Sequence, residues 1–215
     1  MPNYEIQRLA MVASQVLAGG VTESRLLDAL RDIAREQFVP GAKRSIAYAD
    51  APLEMAPGRW LLTPAIFAKL LQAADVQPGD KVLDVGCGTG YSTAVLARLA
   101  RQVIGTEQDA ELVRIASDRL TGVRNATVVQ GAVSDGHSAM GPYDVIVVEG
   151  GLEVEPERLL AQLAEEGRLV AIRRRGAEGQ GVIYLRQQGK TGRRMLFDAT
   201  APVLAGFRQP VGFVF

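Results

Sequence analysis

Hydrophobic residues change their spacing once along this chain, and the change separates a helical first part from a sheet-forming second part. Before residue 75, apolar residues recur every three or four positions, which predicts helices over 4–18, after a cap at Thr22, and after a cap at Thr63. The apolar stripe of the first helix consists of Ile6, Leu9, Ala10, Ala13, Val16 and Leu17. The segment 41–60 has no sustained period and contains turn-forming residues, so it predicts an ordered loop.

From residue 81 onward, short apolar runs alternate with amphipathic segments. The predicted strands are 81–85, 102–107, 127–130, 143–148 and 168–173, and the predicted helices are 91–100, 109–120 and 155–164. Alternation of this kind is typical of a parallel sheet with helices on both faces. Two further strands, 182–187 and 194–198, are joined by a turn at 189–192 and predict an antiparallel hairpin. The expected fold class is therefore α/β: a doubly wound, mostly parallel seven-stranded sheet with an N-terminal helical cap and a C-terminal antiparallel hairpin.

Length and composition favour a single domain. A chain of 215 residues with 47% apolar residues can bury one sizeable core. We expect one domain over 1–215, with a helical cap and lid loop in 1–75 and the sheet in 76–215. The segment 197–215 is rich in Phe and Pro, and it is too apolar to lie free in solvent. We therefore expect it to pack on the sheet or on a partner subunit.

Charge and cysteine usage narrow the class of partner and the compartment. Lys plus Arg and Asp plus Glu both number 24, so nothing electrostatic indicates a nucleic acid or an anionic membrane as partner. The single cysteine, Cys87, excludes an intramolecular disulfide and favours a reducing compartment. No apolar run approaches the roughly 18 residues of a membrane span. We expect a cytoplasmic protein without a metal site.

The stretch 80–91 carries the candidate chemistry. Its strand pattern runs directly into three alternate glycines, Gly86, Gly88 and Gly90, and then into a helix pattern that begins at Tyr91. Glycines at this spacing let the backbone turn sharply and approach a ligand where a Cβ atom would collide. A strand, a glycine turn and a helix in this order predict a nucleotide-like ligand at the carboxyl end of the strand.

Neighbouring residues distinguish three classes of ligand for this turn. A phosphate-binding P-loop requires Lys followed by Ser or Thr after the last glycine, and Tyr91 and Ser92 stand there instead. A dinucleotide site prefers a glycine one position after Gly90, so Tyr91 weakens that assignment without excluding it. The third class is S-adenosylmethionine, whose ammonium and sulfonium groups favour a carboxylate near the turn.

The run Val82-Leu-Asp-Val-Gly-Cys-Gly-Thr-Gly90 resembles the first motif of the class I, Rossmann-like methyltransferases. This resemblance implies S-adenosyl-L-methionine as the cofactor, with Asp84 near its methionine part and Glu107 accepting hydrogen bonds from both ribose hydroxyls. The predicted cofactor-binding residues are Asp84, Gly86, Cys87, Gly88, Gly90, Glu107 and Ala132. The alternative interpretation is that Asp84 and Glu107 cap strand ends in a fold without a ligand.

Segments on both sides of the turn narrow the resemblance to the protein-L-isoaspartate O-methyltransferases. The matching segments include Val21-Thr-Glu-Ser-Arg-Leu-Leu27, Phe38-Val-Pro40, Ala47-Tyr-Ala-Asp50, Gly90-Tyr-Ser-Thr-Ala-Val-Leu-Ala97 and Tyr143-Asp-Val-Ile-Val-Val148, and the match covers most of 11–173. The resemblance implies methyl transfer from S-adenosylmethionine to the α-carboxylate of isoaspartyl residues in damaged proteins or peptides. Because a carboxylate is already an anionic nucleophile at neutral pH, this reaction requires no general base.

Two positions depart from the pattern of that family. Its lid loop reads Gly-Gln-Thr-Ile-Ser-x-Pro with the serine near the reacting groups, whereas Leu62 stands at the serine position here. Thr63 is the neighbouring hydroxyl and our candidate catalytic residue, although it is also the predicted helix cap. After the third strand of the sheet, the family has an aspartate that binds the adenine amino group, and this chain has Ala132. Asp135 can substitute for that aspartate only if the loop bends back.

These departures leave two alternative functions open. One is a divergent paralogue that binds S-adenosylmethionine and methylates a different carboxylate, amine or hydroxyl. The other is a non-catalytic binding protein that uses the same fold as a scaffold. Arg59 and Trp60 replace polar family residues in the lid loop, and the aromatic ring suits either substrate stacking or cover of the core. The basic run 173–175 is interpreted as a solvated strand end.

Overall fold

A central β-sheet organises the protein, in a computed structural model that describes residues 3–210. The helices are α1 (Tyr4–Met11), α2 (Ser24–Asp32), α3 (Pro64–Ala74), α4 (Tyr91–Ala97), α5 (Ala110–Arg119) and α6 (Glu157–Leu160). The strands are β1 (Leu53–Ala56), β2 (Arg59–Leu61), β3 (Lys81–Val85), β4 (Gln102–Glu107), β5 (Ala126–Gln130), β6 (Tyr143–Leu152), β7 (Leu163–Arg175), β8 (Glu178–Gln187) and β9 (Lys190–Asp198).

The main sheet has seven strands in the order β5-β4-β3-β6-β7-β8-β9. The first five strands of that order pair in parallel, whereas β8 is antiparallel to β7 and β9 is antiparallel to β8. The predicted fold class and its C-terminal hairpin are therefore confirmed. The hairpin closes over two residues, Gln188 and Gly189, because Gln187 pairs directly with Lys190. Both turn residues have positive φ, as a tight turn of this kind requires.

Side chains of the central strands alternate between two apolar cores, one on each face of the sheet. Val82 lies in the core that also contains Phe67 of α3, so the helical first part of the chain covers this face. Leu83, the next residue, lies in the core that contains Leu159 of α6 and Leu204 from the C-terminal segment. Burial on both faces explains the continuous apolar runs in the sequence of these strands.

Two of the predicted helix caps have different outcomes. Thr63 caps α3 as predicted, since its side-chain oxygen accepts a hydrogen bond of 3.3 Å from the backbone N–H of Ile66. Thr22 does not cap α2. Glu23 takes that role, because its carboxylate accepts from the backbone N–H groups of Arg25 and Leu26, and the N–H of Thr22 donates to Gln72 of α3 instead.

The predicted apolar stripe of the first helix is mostly exposed, and of its residues only Val16 is buried as predicted. Ile6, Leu9 and Leu17 are 63%, 47% and 40% exposed, and the buried residues of this segment are Met11, Val12 and Val16. Residues Val12–Leu17 form a π-helix, whose wider turn shifts the positions that face inward. The predicted α-helical period therefore ends with α1, and the π-helix does not account for the exposed Ile6 and Leu9, which lie within α1.

Two other segments differ from the prediction. The segment 41–60 is not a simple loop, since it contains a 3₁₀-helix, Gly41–Ile46, and the antiparallel hairpin β1–β2. The helix predicted over 155–164 is only the single turn α6. Its C-terminal part joins β7, because Leu163 pairs with Tyr143 in the parallel ladder and sheet pairing prevails over the helical pattern.

The C-terminal strap, residues 200–207, packs on the sheet as expected. Ala201, Leu204 and Phe207 are buried. The strap is fixed to the end of β6, where the N–H of Gly151 donates to the carbonyl of Pro202 and the N–H of Leu204 donates to the carbonyl of Gly151. The expectation for Phe213 and Phe215 lies outside the described residues. Within residues 3–210, no helix combines the length and apolar character that crossing a membrane would require.

Candidate functional site

The glycine turn after β3 has the backbone conformation that only glycine adopts readily. Gly86, Gly88 and Gly90 have φ values of 77°, 55° and 91°. The N–H groups of Gly86 and Cys87 both donate to the carbonyl of Thr106, at 2.8 and 3.1 Å, so the turn folds over the end of β4. A Cβ atom on Gly88 would meet no atom within 4 Å, which leaves this side of the turn open to a ligand.

Asp84 lies in β3 and is fully buried. Its Oδ2 atom accepts hydrogen bonds from the hydroxyls of Ser92 and Thr93 at 2.7 and 2.6 Å, and both donors lie in the first turn of α4. Its Oδ1 atom is buried without a hydrogen-bond partner among the described residues. Burial raises the pKa of Asp84 to about 6, against the two hydroxyl donors, which lower it. The carboxylate thus has one fixed oxygen and one oxygen still able to accept a donor.

Glycine at position 105 makes room for this arrangement. Gly105 lies beside Asp84 in the parallel ladder of β3 and β4. A Cβ atom there would lie 2.9 Å from the hydroxyl of Thr93 and 3.0 Å from the sulfur of Cys87. Any larger residue would therefore displace one of the two donors that hold Asp84.

Glu149, near the carboxyl end of β6, is a buried acid that is not among the residues predicted from the sequence. It is 5% exposed, and its Oε1 atom has no hydrogen-bond partner among the described residues. Burial and the nearby Asp84 raise its pKa well above the ordinary value, while Arg35 opposes the shift. Because Asp84 has two hydroxyl donors and Glu149 Oε1 has none, Glu149 binds a proton more readily than Asp84. Its position directly after the predicted strand 143–148, at the edge where Asp84 lies, could have revealed it.

Glu107 ends β4 and is fully buried. Its Oε2 atom accepts from the backbone N–H of Gly88 at 3.1 Å, which links it to the glycine turn. Its Oε1 atom accepts from the N–H groups of Gln108 and Asp109 at 2.7 and 3.1 Å. The sequence-predicted turn, Asp84 and Glu107 therefore lie together at the carboxyl ends of adjacent strands.

A fourth donor reaches Glu107 from the lid hairpin, which is formed by β1 and β2. Arg59, the first residue of β2, is 5% exposed, and its Nε atom donates to Glu107 Oε1 at 2.8 Å. Its two terminal nitrogens, Nη1 and Nη2, are buried without a partner in the described part of the chain. The sequence places Arg59 in the lid but does not indicate this ion pair, since the partners are 48 positions apart.

The end of the lid is anchored by a second buried arginine. Arg35 is fully buried, and its guanidinium donates to the backbone carbonyls of Ala47 and Leu62 at 2.8 and 2.6 Å. The same guanidinium lies 4.9 Å from the ring centre of Tyr91, the first residue of α4. Leu62 is buried in the core, and Thr63 follows it as the cap of α3. The lid is thus held against the helix that follows the glycine turn.

The remaining predicted residues have plainer environments. Cys87 is buried, and burial raises the pKa of its thiol, with Asp84 and Glu107 adding to the effect, so the thiolate nucleophile is disfavoured. Ala132 is exposed after β5. Asp135 forms an ion pair with Arg158 at the surface. An exposed pair of this kind is weak, so it leaves Asp135 able to accept another donor.

The comparisons with known proteins agree on one family. The family described as "Protein-L-isoaspartate(D-aspartate) O-methyltransferase (PCMT)" matches residues 7–196. The chain is 38% identical over 209 residues to the protein-L-isoaspartate O-methyltransferase of Koribacter versatilis, covering 96% of this chain and 94% of the relative. It is 39% identical over 173 residues to that of Methylorubrum extorquens, covering 79% of this chain and 75% of the relative.

Solved structures share the fold. A putative protein-L-isoaspartate O-methyltransferase from Plasmodium falciparum, in complex with S-adenosyl-L-homocysteine, superposes with a TM-score of 0.79 at 20% identity and covers 95% of this chain and 99% of that chain. Another protein-L-isoaspartate O-methyltransferase superposes with the same TM-score at 23% identity and covers 94% of this chain and 66% of that chain.

Proposed function

The chain belongs to the protein-L-isoaspartate O-methyltransferase family, and we propose that it methylates the α-carboxylate of isoaspartyl residues in damaged proteins with S-adenosylmethionine as methyl donor. The observation that carries this proposal is the hydrogen bond between Gly88 and Glu107, which joins the glycine turn to the buried acid at the end of β4. A turn and an acid in this relation suit a ligand that presents both a cationic amino acid and a ribose.

The residues of the site fit that cofactor. The free Oδ1 atom of Asp84 would accept a hydrogen bond from the ammonium of the methionine part. The open side of Gly88 would let the ligand lie close to the backbone of the glycine turn. Glu107 would accept hydrogen bonds from the ribose hydroxyls, provided that Arg59 leaves it. When bound, the cofactor supplies a methyl group that is activated by a sulfonium.

The chain's own contribution to the reaction is positioning and the exclusion of water. An acceptor carboxylate is ionised at neutral pH, so no side chain has to remove a proton. The lid hairpin brings the buried Arg59 onto Glu107, and a buried contact of this kind favours in-line positioning and limits access of water. Burial and the nearby Asp84 raise the pKa of Glu149, which lowers the negative charge that this acid adds beside Asp84.

We also propose Thr63 as the hydroxyl that contacts the acceptor. Its oxygen already accepts the N–H of Ile66 as the cap of α3. A hydroxyl can accept and donate at the same time, so its proton remains able to reach a carboxylate oxygen. Thr63→Val tests this role, since it should raise the KM for the peptide while calorimetry still detects S-adenosylhomocysteine binding.

Incubation with labelled S-adenosylmethionine and a peptide that contains one isoaspartyl residue tests the proposed function. We expect a base-labile methyl ester on this peptide and background label on the matched peptide with an ordinary aspartate. Equal label on the two peptides, or no label on either, would refute isoaspartyl specificity. Calorimetry with S-adenosylmethionine and S-adenosylhomocysteine then separates a non-catalytic scaffold, which binds neither, from an enzyme with another acceptor.

A methyltransferase with a different acceptor is the second candidate. It is favoured by Leu62, which is buried at the position where the resembled family has a serine. Leu62→Ser distinguishes the two candidates: a gain in methylation of the isoaspartyl peptide supports the family reaction, whereas no gain supports another acceptor.

Domain organisation and compartment remain part of this proposal. We propose one methyltransferase domain, with the helical cap over 1–75 and the sheet over 76–215, because one apolar core contains side chains from both parts. The balance of 24 basic and 24 acidic residues supports a partner other than nucleic acid or membrane. The single, buried Cys87 supports a reducing compartment such as the cytoplasm.

A further inference from the structure

Arg59 donates a hydrogen bond to Glu107, the carboxylate that would also bind the ribose hydroxyls of the cofactor. Four N–H groups donate to Glu107: those of Gly88, Gln108 and Asp109 from the backbone, and Nε of Arg59. Oε1 accepts three of these bonds and Oε2 accepts only the one from Gly88, so Oε1 has no lone pair left for another donor. The three backbone donors are fixed by β4 and the glycine turn. Arg59 is therefore the one donor that can leave when ribose hydroxyls bind.

The Arg59 guanidinium is itself only partly satisfied. It is 5% exposed, and Nη1 and Nη2 have no partner in the described part of the chain. A buried cation with unused N–H groups is costly and is stabilised strongly by an anion that accepts from both nitrogens. The proposed reaction brings such an anion to this edge of the sheet, namely the carboxylate of the acceptor. The lid carries Arg59 three residues before Leu62, where the resembled family has its serine.

We propose that Arg59 exchanges one carboxylate for another: it pairs with Glu107 in the free protein and binds the acceptor carboxylate once ribose hydroxyls have replaced it on Glu107. Arg59 then makes the charge-assisted contact that Leu62 cannot supply. The acceptor part of this inference rests on the proposed isoaspartyl function, whereas the competition at Glu107 does not.

Arg59→Gln tests the exchange, because it introduces the residue of the resembled family's loop and leaves the three backbone donors on Glu107. Calorimetry should give tighter binding of S-adenosylhomocysteine, by roughly three- to tenfold, since the ribose no longer competes with a guanidinium. Binding of the isoaspartyl peptide to the S-adenosylhomocysteine complex should weaken by roughly tenfold or more. Arg59→Lys, which keeps the charge without the planar fork, should recover part of the peptide affinity.

The opposite direction of the two effects separates this role from a structural one. A lid that is merely loosened would weaken both ligands and lower the melting temperature, and that result would overturn the inference. Arg98→Gln, which removes an exposed arginine paired with Asp32, is the matched control and should change neither affinity. Unchanged peptide affinity in Arg59→Gln overturns the inference and leaves the proposed function intact. Failure of the wild-type complex to bind the isoaspartyl peptide refutes the proposed function and, with it, the acceptor role of Arg59.

Discussion

The backbone N–H of Gly88 lies 3.1 Å from Oε2 of Glu107, and this hydrogen bond joins the turn after β3 to the end of β4. Neither residue is near the other in sequence, and the parallel register of the two strands brings them together. The bond fixes the orientation of the carboxylate before any ligand arrives. Preorganisation of this kind is what a binding site needs if it is to hold a nucleoside without first rearranging its backbone.

Glu107→Gln should weaken binding of S-adenosylhomocysteine by roughly tenfold or more. The amide has one acceptor oxygen and directs an NH₂ group toward backbone N–H donors, so it cannot accept both ribose hydroxyls. Calorimetry measures the affinity. Glu111→Gln, an exposed carboxylate on α5, is the control and should have no effect. Equal affinities of the Glu107→Gln variant and the wild-type protein would show that the ribose does not bind at Glu107.

Cofactor affinity should rise with pH through about 6, the raised pKa of Asp84. The ionised carboxylate attracts the ammonium of the ligand and the protonated form does not, so the affinity gain should level off once Asp84 is ionised. Titration of S-adenosylhomocysteine binding on both sides of that pH measures the dependence.

Asp84→Asn should remove this pH dependence and weaken binding at neutral pH. The matched control is Asp118→Asn, which changes an exposed carboxylate on α5. A pH dependence that survives in the Asp84→Asn protein would assign the titration to another group and contradict the role of Asp84.

Glu149 should make the folded protein less stable as pH rises. Its folded pKa lies well above the ordinary 4.5, so the folded state keeps a proton that the unfolded chain releases. The contribution to the free energy of unfolding is therefore present below about pH 4.5 and is lost as pH rises toward the folded pKa. Glu149→Gln should flatten this decline, as measured by urea unfolding at acidic and neutral pH. If the exposed Glu157→Gln control flattens it equally, the assignment to Glu149 is wrong.

Gly105→Ala should destabilise the protein by about 1–3 kcal/mol, because the added methyl group would lie 2.9 Å from the Thr93 hydroxyl and force it to move. Moving Thr93 also removes a donor from Asp84, so the affinity for S-adenosylhomocysteine should fall. Denaturant unfolding and calorimetry measure the two effects. Gly41→Ala, where a Cβ atom would meet nothing within 4 Å, should change neither of them.

The sequence was most informative where strands are buried on both faces. The bounds of β3 and β4 agree with the predicted 81–85 and 102–107, because short, largely apolar runs between polar residues have few other solutions. The predicted acids Asp84 and Glu107 meet at the sheet edge for the same reason. Local pattern was less reliable where tertiary pairing decides, as at the end of the predicted helix 155–164, where α6 stops at Leu160 and β7 begins at Leu163.

The residues that sequence reasoning missed depend on contacts between distant segments. Arg59 reaches Glu107 because it lies in the β1–β2 hairpin. The sequence predicted a loop for the segment 41–60, and a loop gives no indication of this contact. Glu149 appears in sequence as one more acid after a strand. Glu149 lies near Asp84 because of the order of the strands, and near Arg35 because of the way the helical cap packs on the sheet. The spacing of residues within a single element does not predict either relation.

The C-terminal strap has a consequence for how the chain folds during its synthesis. Leu204 packs against Gly86 and Gly150, so closely that a Cβ atom added to Gly86 would lie 3.0 Å from it. The strap therefore covers the sheet beside the glycine turn. The ribosome makes residues 200–207 after every strand of the sheet. The nascent chain therefore exposes this edge until the strap emerges, and the exposed apolar surface favours aggregation. In limited proteolysis, a variant truncated after residue 199 should be cleaved within β6 faster than the full chain.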